Sequence, residues 1–345
     1  MNRLVPDDAV ILLDPHPRSV DLIFSEQDKK RLESIARVLW FDGQAAPEQY
    51  IDQHLAKAVA LIGQTKMDRH RLDLAGQLRA IFNVEGNFLP NIDYEECYRR
   101  KIPVLACAPA FAPAVAELAL GLALAAARRI VESDASFRVG EEKYSRLSNT
   151  DSVLLRGRTF GFYGCGNVGQ QLLPLIRVFG GPVLIHDPWL HKHYVEGLGA
   201  TPVSFEELLG RSQVLFVIAA STTENRAALG ADQFAQMAPG TIVVLVGRSE
   251  VVDFDALLDA AESSHLRVAI DVFPEEPLPA GHRARKTPNT ILSGHRAGGL
   301  PETYREIGRM VVDDLELILN GLAPQRMQRA LIERVAKMRG KPVTK

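Results

Sequence analysis

The chain has 345 residues, enough for two domains of ordinary size, and 46% of them are hydrophobic, enough to fill a core in each. Its 40 basic and 42 acidic side chains nearly balance, which excludes a global attraction to nucleic acid or to an anionic membrane. The three cysteines lack paired spacing, so we expect no disulfides. The N-terminus lacks the apolar region of a signal peptide, and the apolar stretch at 118–127 is too short to span a bilayer. We therefore expect a cytoplasmic protein.

Short apolar runs alternate with polar, helix-like segments in the first part of the chain. The runs lie at 9–13, 38–41, 59–62, 80–84 and 103–106, and the segments between them include 26–37 and 47–58. This alternation predicts a parallel α/β domain that precedes the cofactor-binding domain. A long helix rich in alanine and leucine is predicted to follow at 113–131.

A glycine-rich turn at 164–169, Gly-Cys-Gly-Asn-Val-Gly, lies between an apolar run at 159–163 and a helix-like stretch at 170–177. Its glycines suit a tight turn, close approach of the backbone to a pyrophosphate, and tight packing of helix on strand. A second predicted strand, 182–186, ends at Asp187, eighteen residues after the last glycine, where a carboxylate can accept hydrogen bonds from an adenosine ribose. Nothing basic lies at 188–190, which favours NAD over NADP.

Further apolar runs at 214–218, 241–246, 266–270 and 290–293 predict more strands. Together with those at 159–163 and 182–186 they give about six strands in a doubly wound sheet. A second long helix, at 301–320, is predicted to return the chain to the first domain. We therefore expect an α/β protein of two Rossmann-like domains: a split, flavodoxin-like substrate domain at 1–112 and 301–330, and a doubly wound NAD-binding domain at 113–300. A basic C-terminal tail at 331–345 follows, and the basic stretch at 326–345, which includes this tail, is expected to be a solvated amphipathic helix or a frayed end.

Three side chains with the chemistry of hydride transfer follow three successive predicted strands. Hydride exchange between a nicotinamide and a hydroxyl-bearing carbon needs an acid/base at the oxygen and a cation that polarises the carbonyl. A histidine with a carboxylate partner meets the first need, the planar fork of an arginine meets the second, and the sequence offers Arg248, Glu276 and His295 as candidates of these types. Each alone is more simply a solvated surface charge, but the ordered set at the ligand-binding edge of the sheet indicates an active site.

Several segments in this order resemble those of the D-isomer-specific 2-hydroxyacid dehydrogenases, namely 164–169, 247–257, 271–277 and 293–298, with 91–93, 100–104 and 114–121 in the first domain. The resemblance covers nearly the whole chain. It implies a two-domain cleft enzyme, usually a homodimer, that uses NAD and no metal to interconvert a D-2-hydroxyacid and its 2-keto acid. In that scheme Arg248 holds the substrate, His295 is the acid/base, and Glu276 orients and charges the histidine.

The resemblance also implies binding residues. It places Asn167 and Val168 at the pyrophosphate, Asp187 at the ribose and Asp271 near the nicotinamide amide. The full set of expected cofactor-binding residues is Gly164, Gly166, Asn167, Val168, Gly169, Asp187, Ala220, Val246, Gly247, Asp271, Ala297 and Gly298. The expected substrate contacts are Asn87, Phe88, Arg248 and Arg296.

Three departures from the family pattern bear on the substrate. At 83–93 the family usually has a glycine-rich loop whose amides hold the substrate carboxylate, and Phe88 replaces one of those glycines. Such a ring narrows the loop or caps a different pocket, and the segment at 107–113 lacks the usual glycine and polar residue. Arg296 stands where a small apolar residue is common, and it either favours a second anionic group on the substrate or pairs with Glu302 or Glu306.

Two other functions stay open on sequence grounds. The family includes NADH-binding corepressors that keep the same three catalytic-type residues, although the absence of long disordered extensions here favours an enzyme. Phosphite oxidation on the same scaffold is the second alternative, because Phe88 makes the grip on a carboxylate uncertain.

Overall fold

The computed structural model describes residues 5–338. Its strands are β1 (Val10–Asp14), β2 (Arg37–Trp40), β3 (Ala58–Gly63), β4 (Ala80–Asn83), β5 (Val104–Ala106), β6 (Phe160–Tyr163), β7 (Val183–His186), β8 (Thr201–Pro202), β9 (Val214–Val217), β10 (Thr241–Leu245), β11 (Leu266–Ile270), β12 (Thr290–Leu292) and β13 (Gln328–Arg329). Its α-helices are α1 (Val20–Ile23), α2 (Glu26–Ile35), α3 (Glu48–His54), α4 (Arg69–Leu74), α5 (Tyr94–Arg99), α6 (Ala108–Arg128), α7 (Ile130–Arg138), α8 (Asn167–Arg177), α9 (Lys192–Gly197), α10 (Phe205–Arg211), α11 (Ala231–Ala235), α12 (Phe254–Glu262), α13 (Pro301–Leu319) and α14 (Ile332–Val335). Short 3₁₀ turns lie at Leu55–Lys57, Ser145–Ser148, Ser249–Val251 and Arg283–Arg285.

The chain divides into two compact units, and its two sheets of mainly parallel strands confirm the expected α/β class. Unit 1 contains the described residues up to Phe111 and those from Gly299 onward, and unit 2 is Ala112–Gly298. Every apolar run that predicted a strand forms one. The two-residue strands β8 and β13 were not predicted, because each lies at a sheet edge and has no apolar run to mark it. The assignment of unit 1 to the substrate stays a prediction.

The sheet of unit 1 has the order β13-β5-β4-β3-β1-β2. Strands β1 to β5 are parallel and follow the flavodoxin-like order, while β13 pairs with β5 in the antiparallel sense. Strands β1, β3 and β4 are buried along their whole length, as expected of a sheet covered by helices on both faces.

The C-terminal return of unit 1 depends on one buried carboxylate on α13. Asp314 is 0% exposed and accepts hydrogen bonds from the backbone N–H groups of Gln325, Arg326 and Met327, at 2.7, 2.9 and 2.7 Å. These bonds turn the chain into β13. The tail is therefore ordered into an edge strand and the short helix α14 before residue 338, and residues 339–345 lie outside the described part.

The sheet of unit 2 has the order β12-β11-β10-β9-β6-β7-β8, and all of its strand pairs are parallel. Strands β6 and β9 are neighbours in the sheet although they are not consecutive in the chain, so the order reverses there. In a doubly wound sheet, ligands bind outside the carboxyl ends of the strands at this point of reversal. The glycine-rich turn follows β6 directly.

The long helix α6 begins five residues before the predicted start and ends at Arg128, three residues early. Arg129 has a left-handed backbone, φ 53°, and separates it from α7. By length and composition α6 is long and apolar enough to cross a membrane. This differs from the expectation that the apolar stretch at 118–127 is too short to do so. Half of the most apolar window of α6 is buried within the protein. Ala116, Ala119 and Ala123 pack in the core of unit 2, as in the core helix of a globular protein. The cytoplasmic location stays a prediction.

Candidate active site

The three residues predicted to be catalytic lie in the loops after strands β10, β11 and β12. The strands are adjacent and parallel, with Leu245 opposite Ile270 and Ile270 opposite Leu292, so their carboxyl ends lie level at one edge of the sheet. Arg248, Glu276 and His295 follow these three ends in turn. The three residues are therefore positioned side by side along one edge of the sheet, in the order in which they occur in the sequence.

Glu276 and His295 form a short, accessible pair. The Nδ1 atom of His295 lies 2.6 Å from Oε2 of Glu276, and the two side chains are 49% and 36% exposed. The other carboxylate oxygen of Glu276 accepts a hydrogen bond from the N–H of Phe273, at 2.9 Å, which fixes the plane of the carboxylate. Because Nδ1 donates to Glu276, the remaining ring nitrogen Nε2 is the atom left to exchange a proton.

A buried aspartate holds the loop that presents His295. Asp271 is 1% exposed, and its carboxylate accepts hydrogen bonds from the Ser293 hydroxyl at 2.5 Å and from the N–H groups of Arg296 and Ala297 at 3.1 and 3.2 Å. The carbonyl oxygen of Asp271 accepts the N–H of His295 at 2.7 Å. These bonds maintain the left-handed backbone of His295, φ 47°, which a non-glycine residue rarely adopts. The sequence suggested Asp271 only as a contact to the nicotinamide amide.

Arg248 is half-buried, and its side chain is held by the backbone of the preceding residue. Its Nη1 atom donates to the carbonyl oxygen of Gly247 at 2.7 Å. Gly247 lies so close to the backbone just after the neighbouring strand β9 that a Cβ atom would be 2.9 Å from Cα of Ile218, so only glycine fits there. The neighbouring Val246 is 5% exposed, so its side chain belongs to the core and only its backbone is available to a ligand.

The glycine-rich turn has the shape of a phosphate cradle. Gly164 has φ 86°, and a Cβ atom there would lie 2.7 Å from Cα of Ala219. Gly169 is buried against Cys165, where a Cβ atom would lie 3.0 Å from the sulfur. Gly166 is the N-cap of α8 and has no side chain to satisfy the first N–H groups of the helix, which are the groups that bind phosphate at helix N-termini.

Asp187 follows β7 and is tied to the same turn. Its carboxylate accepts the N–H of Cys165 at 2.8 Å and the N–H of Trp189 at 2.9 Å. A carboxylate has about four acceptor positions, so two remain for other donors. Burial, with a smaller contribution from Asp187, raises the pKa of the Cys165 thiol to about 12.

The loop at 83–88 in unit 1 is closed by one side chain. Asn83 accepts the N–H of Glu85 at 3.0 Å and donates to the carbonyl oxygen of Asn87 at 2.6 Å. Phe88 is 5% exposed and meets Tyr94 edge to face at 6.2 Å within the core of unit 1. This corrects the expectation for Phe88: its ring fills the core, as large apolar rings generally do, and only its backbone is available to a substrate.

Sequence reasoning missed a buried ion pair beside this loop. Arg18 donates through Nε and Nη2 to the two carboxylate oxygens of Glu85, at 2.8 and 2.6 Å, and the side chains are 14% and 8% exposed. The guanidinium lies over the ring of Tyr304 at 4.8 Å and over that of Phe111 at 5.7 Å. A glutamate directly before Gly86 in a glycine-type loop was the signal in the sequence.

The remaining predicted residues have ordinary environments. Arg296 is exposed, and within unit 2 its guanidinium has no hydrogen-bonding or ionic partner. Glu306, one of its suggested partners, pairs instead with Arg309 and Arg326 of its own unit. Ala220 is exposed, Gly298 is half-buried and Ala297 is 6% exposed, so Ala297 offers mainly its backbone.

Comparison with known proteins places this geometry in a family. Residues 120–297 match the model described as the D-isomer specific 2-hydroxyacid dehydrogenase, NAD binding domain. A D-3-phosphoglycerate dehydrogenase of Methanocaldococcus jannaschii is 30% identical over 85% of this chain and 55% of its own length, and a glyoxylate reductase of Thermococcus litoralis is 30% identical over 88% and 93%. This chain thus spans about half the length of the phosphoglycerate dehydrogenases that it matches. A solved phosphoglycerate oxidoreductase from Rhizobium etli is 38% identical with a TM-score of 0.85, covering 94% of this chain and 98% of that one.

Proposed function

The chain belongs to the D-isomer specific 2-hydroxyacid dehydrogenase family, and we propose that it interconverts a D-2-hydroxyacid and its 2-keto acid with NAD as the hydride carrier. The observation that carries the proposal is the contact of 2.6 Å between His295 and Glu276 at the carboxyl edge of the NAD-binding sheet. An exposed imidazole with a carboxylate on Nδ1 is the arrangement needed to deliver a proton from Nε2.

The residues around the glycine turn fit NAD. The uncapped N-terminus of α8 faces a turn whose glycines admit close approach, and Asp187 retains acceptor positions for ribose hydroxyls. When bound, NAD supplies or accepts the hydride. The family model for the NAD-binding domain supports the same cofactor.

The chain's own residues divide the remaining work. During reduction of a keto acid, His295 donates the Nε2 proton to the substrate oxygen, and Glu276 stabilises the imidazolium before and during the transfer. Arg248 binds the carboxylate and polarises the carbonyl, with its fork held by the Gly247 carbonyl oxygen. In the reverse direction His295 accepts the hydroxyl proton.

Unit 1 is proposed to hold the substrate carboxylate through the backbone of the loop at 83–88. Within the described part of unit 1, the N–H groups of Gly86 and Phe88 have no hydrogen-bond acceptor. The loop follows β4 at the carboxyl edge of a parallel sheet, where ligands bind in open α/β folds. Two amide donors separated by one residue suit one carboxylate group.

We place the substrate among small hydroxyacids with a second anionic group. Arg296 supports this choice, because its guanidinium is exposed and unpaired within unit 2 and directly follows His295. The name of the Rhizobium etli structure, a phosphoglycerate oxidoreductase, is in keeping with it. The corepressor and phosphite alternatives receive no support from the named relatives, which are dehydrogenases and reductases.

The test follows NADH absorbance with purified protein and a panel of 2-keto acids that contains 3-phosphohydroxypyruvate, hydroxypyruvate, glyoxylate and 2-oxoglutarate. We expect oxidation of NADH and the highest kcat/KM with a member that carries a second anion. Turnover confined to glyoxylate would overturn the substrate class alone. Tight NADH binding without turnover on any member would overturn the enzymatic proposal.

The expected homodimer stays a proposal, supported by an apolar surface on unit 2. None of the nine residues of α7 is buried. Exposed large apolar side chains cluster there and in the segment that follows: Ile130, Val131, Phe137, Val139, Tyr144, Leu147 and Leu154. A second copy is the proposed cover for this surface, and Phe137→Glu should shift the mass measured by light scattering from dimer to monomer. A dimer that survives the charge would place the interface elsewhere.

A further inference from the structure

Glu85 is an unexpected residue in a loop proposed to bind a carboxylate. It directly precedes Gly86, whose N–H group is one of the two proposed donors. A carboxylate bound by Gly86 and Phe88 would lie on the same loop as the Glu85 side chain, and an uncompensated negative charge on Glu85 would repel it. The loop therefore needs a cation that neutralises Glu85.

Arg18 supplies that charge in a fixed geometry. Both oxygens of Glu85 are taken by the fork of Arg18, and the pair is largely removed from solvent, with side chains 14% and 8% exposed. Burial opposes the charge on Arg18, but hydrogen bonds and charge interactions with Glu85 and Tyr304 outweigh it and raise the pKa of the guanidinium. Arg18 therefore stays charged whenever Glu85 is charged.

The same pair also sets the shape of the loop. Glu85 is bonded through its N–H to Asn83 and through its carbonyl oxygen to the N–H of Cys107, at 3.0 Å each. Phe111, which lies under the Arg18 guanidinium, also packs on this loop, since a Cβ atom on Gly86 would lie 3.3 Å from its ring. Moving Arg18 would therefore disturb both the charge and the position of this segment.

We propose that Arg18 is a positioning and charge-compensating residue for the substrate: by pairing with Glu85 it allows the loop at 83–88 to accept a carboxylate. The proposal rests on the proposed function, because it assumes that the substrate is a 2-keto acid. Arg18 contacts Glu85, Tyr304 and Phe111, and its action on the substrate passes through Glu85.

The test uses the sign of the change in KM. Arg18→Met leaves the Glu85 charge uncompensated and should raise KM for the keto acid about tenfold, with a much smaller change in kcat. Glu85→Gln keeps a hydrogen-bond acceptor but frees the charge of Arg18, and should lower KM. The double variant should return KM to near the wild-type value.

A purely structural role predicts a different pattern. If KM rises in both single variants, or changes in neither, the charge argument is overturned. If Arg18→Met does not fold, Glu85→Gln decides alone, because a fall in KM supports the proposal and an unchanged or higher KM overturns it. Inhibition by oxamate, measured at saturating NADH, should follow the same signs without depending on the chemical step.

A matched control is available in the same unit. Arg99 also forms an ion pair with a carboxylate, that of Glu96, but it lies at the end of α5, ahead of the amino end of β5, and its side chain is 65% exposed. Arg99→Met should leave KM for both keto acid and NADH unchanged. Wild-type protein that turns over no keto acid would count against the proposed function, whereas active wild type with unaltered variants counts only against the role of Arg18.

Discussion

Each unit of this protein places a glutamate and a basic partner at the carboxyl edge of its sheet, and the two pairs differ in exposure and in chemistry. In unit 2 the Glu276–His295 side chains are 36% and 49% exposed, while in unit 1 the Glu85–Arg18 side chains are 8% and 14% exposed. An imidazole titrates near neutral pH, whereas a guanidinium does not. The exposed pair is thus suited to proton exchange, and the buried pair is suited to constant charge compensation.

The largest effect is expected when the exposed pair loses its imidazole. His295→Ala removes the proton donor, and kcat should fall at least about a hundredfold while NADH binding, followed by fluorescence, is retained. Glu276→Gln keeps a hydrogen-bond acceptor beside Nδ1 but removes its charge, so a smaller fall of about tenfold or more is expected. Equal kcat in wild type and His295→Ala would remove His295 from the reaction.

Two buried aspartates extend the comparison from pairs to loops. Asp271 holds the loop of His295 in unit 2, and Asp314 holds the C-terminal return in unit 1, and the carboxylate of each accepts from three donor groups. Replacing either by alanine leaves donors unsatisfied and should lower the free energy of unfolding by about 2–4 kcal/mol in urea denaturation. Only Asp271→Ala should also lower kcat per folded molecule. A matching loss of kcat in Asp314→Ala would show that the two loops are not independent.

The sequence was sufficient for the exposed pair and insufficient for the buried one. Glu276 and His295 were candidates in advance because each follows one of two successive predicted strands, and the family resemblance implied that they act as a pair. Arg18 and Glu85 lie 67 positions apart, in loops after β1 and β4, which are not neighbours in the sheet, and no periodicity marks such a contact. The burial of Phe88 and the function of Asp271 were missed for a related reason, since both depend on tertiary packing around a loop.

A smaller effect on kcat/KM is expected from Arg296, which differs from Arg18 in having no carboxylate partner within its own unit. Arg18 is neutralised by Glu85, whereas Arg296 has no partner within unit 2 and is exposed. Arg296→Gln should therefore lower kcat/KM for 3-phosphohydroxypyruvate about tenfold and change that for glyoxylate little, because only the first has a second anion to lose. The ratio of the two kcat/KM values is the measurement. An unchanged ratio would mean that Arg296 does not select the substrate.

The smallest effect is expected from alkylation of the buried cysteines, one of which lies near the carboxyl edge of each unit's sheet. Cys165 in the glycine turn and Cys107 after β5 are each 0% exposed and each lie near a carboxylate, Asp187 and Glu85 respectively. Burial first, and the carboxylate second, raise the pKa of Cys165 to about 12 and that of Cys107 well above its usual value. A raised pKa favours the neutral thiol, so both cysteines should be protonated near neutral pH.

Iodoacetamide near neutral pH should consequently leave both thiols unmodified and the activity intact, as read by mass spectrometry and by NADH oxidation, whereas the urea-unfolded chain should be fully labelled. The comparison between the units becomes sharper if one thiol reacts. If NAD prevents labelling of Cys165 and Cys107 stays unlabelled, the glycine turn opens while the Arg18–Glu85 edge stays closed. Labelling of Cys107 would instead show that the pair in unit 1 opens to solvent, contrary to the constant compensation inferred for it.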